Sequence, residues 1–211
     1  MNGATAKLGK RANPASDRIT VDGAVIIVRD DLVYYLINKP RHVVTTMSDP
    51  QGRHTVAELV PDDPRVFPVG RLDFDSEGLL LVTNDGDLAH LLMHPSSEVP
   101  KVYMAEVDGA PTRGALRSLR EGVDLEDGRT APALARAVET HGDVTLLELV
   151  IREGRNRQIR RMCEAVGHPV RRLVRTRIGP IGDPKLPPGA WRELSQDEVR
   201  KLYELVKETP V

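Results

Sequence analysis

The sequence predicts an α+β fold with a mainly antiparallel sheet, on three observations. Several segments alternate apolar and polar residues as half-buried strands do, among them 101–107 and 144–151. Helical segments fall between them irregularly, unlike a regular βαβ array. At 211 residues, 40% hydrophobic and 29% charged, the chain is long enough to bury a real core and has an ordinary globular composition.

Residues 1–17 are polar, small and proline-containing without periodicity, and read as a tail or linker. Strands are expected at 18–28, 32–37 and 43–46. Asn38-Lys39-Pro40-Arg41 is a loop, because proline restrains the residue before it. Asp49-Pro50-Gln51-Gly52 is a turn, and Thr55 opens a short helix ending near Pro61. Leu79 to Val82, four apolar residues running into Asn84-Asp85-Gly86, form a buried strand that stops at a turn. Asp87 to Met93 is helical and ends before Pro95. After the strand at 101–107 comes a helix at 112–121 with Thr112 as N-cap, then strands at 130–138 and 144–151. From Arg157, the residues Ile159, Met162, Cys163 and Val166 recur at helical spacing, and Gly167 terminates that helix. A strand at 170–178 places Arg175 and Arg177, two apart, on one face. Ser195 to Glu198 is a capping box opening a last helix to about Lys207.

Composition excludes several classes. No apolar run approaches membrane-spanning length, and the N-terminus has no signal-peptide core. The single Cys163 rules out an internal disulfide, fits a reducing, cytoplasmic setting, and lies on the apolar stripe of its helix as core filler. Nothing demands more than a monomer. Net charge is only −1, yet residues 152–177 hold nine arginines against Glu153 and Glu164, so that segment is +7 and the rest of the chain −8. Arginine offers a planar fork suited to phosphate oxygens, and the segment is expected to face RNA or phosphate.

Ahead of the Leu79–Val82 strand stand Asp73, Asp75 and Glu77 at alternating positions. Carboxylates beside a core strand are costly to desolvate and call for a reason. A calcium loop does not fit: its twelfth position should be a bidentate Glu and is Asn84, and Pro68 and Gly70 break any entering helix. His90 and His94 stand four apart as zinc ligands can, but no third ligand is near, and surface or capping roles suit them better.

The stretch GRLDFDSEGLLLVTNDGDLAHLLMHP, residues 70–95, resembles the signature of the RsuA/RluB branch of ribosomal RNA pseudouridine synthases, with Ser76 where Thr is usual. The likeness continues in VPKVYMAEVDG and in EGRNRQIRRMCEAVGHPVRRLVRTRIGPI, and covers roughly residues 18 to 207, most like the RluB group. It implies the pseudouridine synthase fold, a mainly antiparallel mixed sheet with flanking helices and a central catalytic cleft, spanning residues 24–211. Residues 1–23 resemble the linker and remnant of an N-terminal RNA-binding domain, and a truncated form holding the catalytic domain is expected. The implied activity is isomerisation of a uridine in ribosomal RNA, on the large-subunit (23S) RNA. A small-subunit target, or a non-catalytic ribosome assembly factor of the same fold, are the alternatives.

That isomerisation detaches the base at its ring nitrogen and rejoins it through carbon 5, so no redox cofactor or metal is required. The resemblance makes Asp73 the catalytic carboxylate, Arg160 the cation that holds it ionised, and Tyr103 the residue stacked on the target base. Arg71 matches the arginine that fills the gap left by a flipped uridine. Lys39, Lys101, Arg155, Arg157, Arg161, Arg175 and Arg177 are expected to contact the RNA backbone. No catalytic role is expected for Asp75 or Glu77, which are read as surface or turn positions.

Overall fold

A computed structural model describes residues 2–6, 19–21, 24–26 and 31–207. Instead of one strand over 18–28 there are two, β1 (Ile19–Val21) and β2 (Ala24–Ile26). They pair antiparallel, Ile19 opposite Ile26, across the expected boundary at residue 23. Most of the expected tail, residues 7–17, and the ends of that strand lie outside the described residues.

The chain then runs through β3 (Tyr34–Lys39), β4 (Phe67–Val69), β5 (Glu77–Thr83), α1 (Gly86–Met93) and β6 (Lys101–Asp108). Next come α2 (Arg113–Glu121), the small pair β7 (Asp124–Leu125) and β8 (Gly128–Arg129), then β9 (Leu134–His141) and β10 (Val144–Ile151). Last are α3 (Gln158–Ala165), β11 (Val170–Ile178), β12 (Ile181–Gly182), β13 (Trp191–Glu193) and α4 (Gln196–Lys207). One mixed sheet holds most strands in the order β13-β3-β5-β11-β6-β10-β9, with β4 beside β5 and β12 beside β11. Its pairings are antiparallel except β5 with β11, where Glu77 faces Val174 and Gly78 faces Arg175.

The four apolar residues of β5 are apolar because both faces of the sheet are covered. Leu80 and Val82 enter one core cluster with Tyr103, Leu147, Leu149 and Met162. Leu79 and Leu81 enter the other, with Leu88, Leu92 and Leu202 from α1 and α4. Helix boundaries follow local chemistry. The Thr112 hydroxyl accepts the Ala115 N–H at 3.1 Å, and Ser195 and Glu198 exchange both bonds of a capping box. Gly167 (φ +84) takes the left-handed turn after α3, donating to the Glu164 carbonyl. His94 caps the short turn at 95–97 by accepting the Ser96 N–H, which accounts for it without a metal role.

The expected strand at 43–46 is not one. Val44 makes a single bridge to Thr55, and Thr45 turns its hydroxyl to the Leu72 backbone. The segment is therefore tied to a loop and not to the sheet. The turn after it is a 3-10 helix, Val56–Leu59, opened by a capping box of Thr55 and Glu58. Among the described residues no helix is long and apolar enough to cross a membrane.

Candidate active site

A cleft of about 670 Å³ is lined by the loop at 69–73, by Lys101 and Tyr103 of β6, by Arg175 of β11, and by residues 151–159 leading into α3. Its geometry starts with the loop that precedes β5. Five consecutive carbonyls there are each held by a different group. Arg71 O accepts from Arg175 Nη1 at 3.4 Å, and Leu72 O from the Thr45 hydroxyl at 2.7 Å. Asp73 O accepts from the Ser76 N–H at 3.1 Å, and Phe74 O from the His42 N–H at 2.7 Å. Asp75 O accepts from Arg160 Nη2 at 3.0 Å. His42 adopts φ +64 in making its bond, and its ring meets Phe74 edge-on.

This loop presents Asp73 to the cleft with little freedom to move. The Asp73 side chain is half-buried, and among the described residues its carboxylate has no hydrogen-bond or ion-pair partner. Its charge is felt by Lys39, Arg157 and Arg160 without contact. Tyr103, buried on β6, lines the same cleft, with its hydroxyl 3.5 Å from Arg175 Nη1. Tyr103 and Arg175 are direct partners across β6 and β11, and Arg175 is in turn opposite Gly78 of β5. The row Gly78, Arg175, Tyr103 thus crosses three adjacent strands next to the Asp73 loop.

The expected partner of Arg160 is Asp73, but its ionic contact is Asp75, with Nε 3.4 Å from Oδ2. Arg160 also donates to the Asp75 carbonyl, to Val170 O at 3.2 Å and toward the Ser76 hydroxyl at 3.5 Å. Burial alone would work against a charged Asp75, but Arg157 (a two-pronged pair at 2.9 and 3.1 Å) and Arg160 hold its carboxyl below the usual range. Arg157, expected as the first residue of its helix, instead precedes α3 in the left-handed region at φ +47. Glu77 is not a surface residue either: it is buried, and the forked hydrogen bonds of Arg172 at 2.8 and 3.1 Å keep its carboxyl low.

The arginine segment is largely neutralised by acids from elsewhere in the chain. Arg161 pairs with Asp127, Arg171 with Asp108 and Asp143, and Arg172 with Glu77. Arg155 pairs with Glu153 and also caps the carbonyls of Gly128 and Arg129. These side chains bolt the fold together, and Arg155 and Arg161 in particular hold the β7–β8 pair. Arg175 and Arg177 do not share a face. A β-bulge between them sets Arg175 opposite Tyr103 and Arg177 opposite Val102, so Arg175 is buried and Arg177 exposed. Lys39 cannot serve as a backbone contact in this conformation: it is fully buried, donating to the carbonyls of Pro40 and Val43. Burial pulls its amine down to about 8, with Asp73 the largest opposing influence. Burial and the Arg175 charge pull Lys101, which lines the cleft, to about 8 as well. Arg71 is exposed at the cleft edge. Cys163 is fully buried in the core, where desolvation pushes its thiol up to about 12.

Sequence reasoning missed Thr45 and His42 as loop clamps. Neither carries a motif, and Thr45 acts on a residue 27 positions away.

Comparison with known proteins agrees with this architecture. The family model for RNA pseudouridylate synthase matches residues 33–165. An uncharacterized RNA pseudouridine synthase of Mycobacterium tuberculosis is 46% identical over 204 residues, covering 95% of this chain and 80% of that protein. The ribosomal large subunit pseudouridine synthase B of Bacillus subtilis is 44% identical over 193 residues, covering 90% of this chain and 79% of that one. A crystal structure of a pseudouridylate synthase superposes with a TM-score of 0.74 at 30% identity, over 95% of this chain and 86% of that chain. With a family model across most of the sheet and relatives this similar over nearly its whole length, the chain belongs to the RNA pseudouridylate synthase family, in the RluB group that its motifs resemble, and is an isomerase.

Proposed function

We propose that the protein converts a uridine of large-subunit ribosomal RNA to pseudouridine, with Asp73 as the carboxylate that acts on the sugar. The observation that carries this reading is the pairing of a rigid loop with a free carboxylate. Every carbonyl from Arg71 to Asp75 is held, while the Asp73 carboxylate lines the cleft with no partner among the described residues. A nucleophile or base must be available to substrate and pre-positioned, and this arrangement supplies both. Tyr103 offers its ring to the same cleft, where a flipped uracil would stack. The large-subunit target is drawn from the Bacillus subtilis relative, a ribosomal large subunit pseudouridine synthase B.

Arg160 acts here as a positioning residue, gripping the end of the Asp73 loop. The exposed cations Arg71, Arg152 and Arg177, with Lys101 in the cleft, are the candidates for phosphate contact. The test is to map pseudouridine in ribosomal RNA from cells with and without this protein. Loss of a large-subunit site, restored by the wild-type chain, is expected. Loss at a small-subunit site would correct the target, and an unchanged map would favour a non-catalytic RNA-binding role.

A further inference from the structure

Arg175 stands apart from the other arginines of its segment. It is 3% exposed, and no carboxylate lies within ion-pair distance among the described residues. Its Nε donates to Leu79 O at 2.7 Å, and its Nη1 reaches Arg71 O at 3.4 Å and the Tyr103 hydroxyl at 3.5 Å. Its Nη2 is buried with no partner among the described residues. A buried guanidinium without a counter-charge is costly to desolvate, and an unsatisfied buried donor adds to that cost. A stable fold keeps such a group only where something else uses it, and Arg175 lines the same cleft as Asp73 and Tyr103. Its placement is also fixed from behind. A Cβ at Gly78 would lie 2.2 Å from Arg175 O and 2.6 Å from Arg175 N, so β5 and β11 approach more closely there than any other residue allows.

We infer that Arg175 is the anion-binding group of the cleft, and that its free Nη2 donates to a carbonyl oxygen of the uracil ring as the ring leaves the sugar. This rests on the isomerase reading with Asp73 as the acting carboxylate. When the bond from the sugar to the ring nitrogen breaks, both electrons stay with the ring, which becomes an anion sharing its charge with the ring oxygens. Carbon 5 later returns an electron pair to the same sugar carbon, and the proton on carbon 5 departs to a base. Arg175 gains and loses no proton. It stabilises only the detached, charged ring, from a low-dielectric site that needs no reorganisation. The position expected to bind a phosphate thus binds the leaving base instead.

The test exploits leaving-group chemistry. Fluorine at carbon 5 withdraws electrons and makes the ring a more stable anion, so a fluorinated base needs the cation less. Single-turnover consumption is measured on short transcripts of the mapped site carrying uridine or 5-fluorouridine, with nucleosides separated after digestion. For Arg175→Gln the expected loss is about 10²–10³-fold on uridine and clearly smaller on 5-fluorouridine. Equal losses on the two substrates, or wild-type rates on both, overturn the proposal. If Arg175→Gln does not fold by its melting curve, Arg175→Lys decides instead: it keeps the charge without the fork, and its smaller deficit should again shrink on 5-fluorouridine, equal deficits counting against the proposal. A wild-type protein that leaves uridine unchanged overturns the isomerase reading itself, a result distinct from any pattern among the variants.

Discussion

Arg160 grips Asp75 and not Asp73: its Nε stands 3.4 Å from Asp75 Oδ2 and its Nη2 donates to the Asp75 carbonyl at 3.0 Å. The loop bearing Asp73 is therefore held two residues downstream of the carboxylate that faces the cleft. Arg160→Met should lower the single-turnover rate by about 10²-fold, the cost of misplacing a reacting group by an ångström. Affinity for RNA should change little, because Arg160 does not line the cleft. Asp75→Asn should give a milder version of the same defect. A loss of affinity with an intact rate would mean that Arg160 binds RNA.

The ion pair of Glu77 with Arg172 gives a pH dependence of stability. The folded-state pKa of Glu77 is lowered, so its contribution is fully present above the unfolded value near 4.5 and is lost as pH falls through the folded one. Because Arg172 is half exposed, Glu77→Gln should cost only about 1 kcal/mol at neutral pH. Denaturation curves for the two proteins should draw together as pH falls below 4.5 and converge only once it has passed the lowered folded-state value. A constant gap across that range would mean that packing, not charge, is what the substitution disturbs.

Gly78→Ala should be among the most damaging single-methyl changes in the protein. Gly78 has φ +111, and the new Cβ would strike the backbone of Arg175 at 2.2 Å. Overpacking against main chain and an unfavourable φ together predict a loss of about 3 kcal/mol. Thermal melting checks it, and near-wild-type stability would show that β5 and β11 can separate freely.

Much of this fold is legible in the sequence because its signals are local. Thr112, the Ser195–Glu198 box and Gly167 each announce a helix end within four residues. The four-residue apolar run of β5 likewise declares a strand covered on both faces. What is illegible depends on distance. Arg157 finds Asp75 across 82 positions, and Arg172 finds Glu77 across 95, so a charge run that looks free in one dimension is mostly paired in three. The bulge in β11 leaves no mark in its alternation, yet it decides which of Arg175 and Arg177 is buried. Strands of three residues such as β4 and β13 are too short to show a period. Motif resemblance draws attention to Asp73, Tyr103 and Arg160, but gives no warning that Arg160 meets the neighbouring carboxylate.

Lys101 offers a second pH dependence, this one in binding. Its amine, pulled to about 8 by burial and by Arg175, is charged below that pH and neutral above it. RNA phosphate favours the charged form, so affinity should weaken as pH rises through about 8 and onward. Lys101→Arg, charged throughout, should flatten the profile between pH 7.5 and about 9.5. Lys39 titrates in the same range but does not line the cleft, so the flattening should be specific to Lys101. Parallel profiles for wild type and variant would remove Lys101 from the RNA contact.

The free carboxylate of Asp73 is the group on which the proposed chemistry turns. Asp73→Asn keeps the size and hydrogen-bonding capacity of the side chain, and the loop carbonyls that position it keep their partners. The decisive measurement is single-turnover formation of pseudouridine in ribosomal RNA by this variant, alongside its RNA affinity. The expected result is no detectable pseudouridine, with affinity equal to or tighter than wild type because an unpaired charge has left the cleft. Substantial turnover by Asp73→Asn would contradict the assignment and move the reaction to another group.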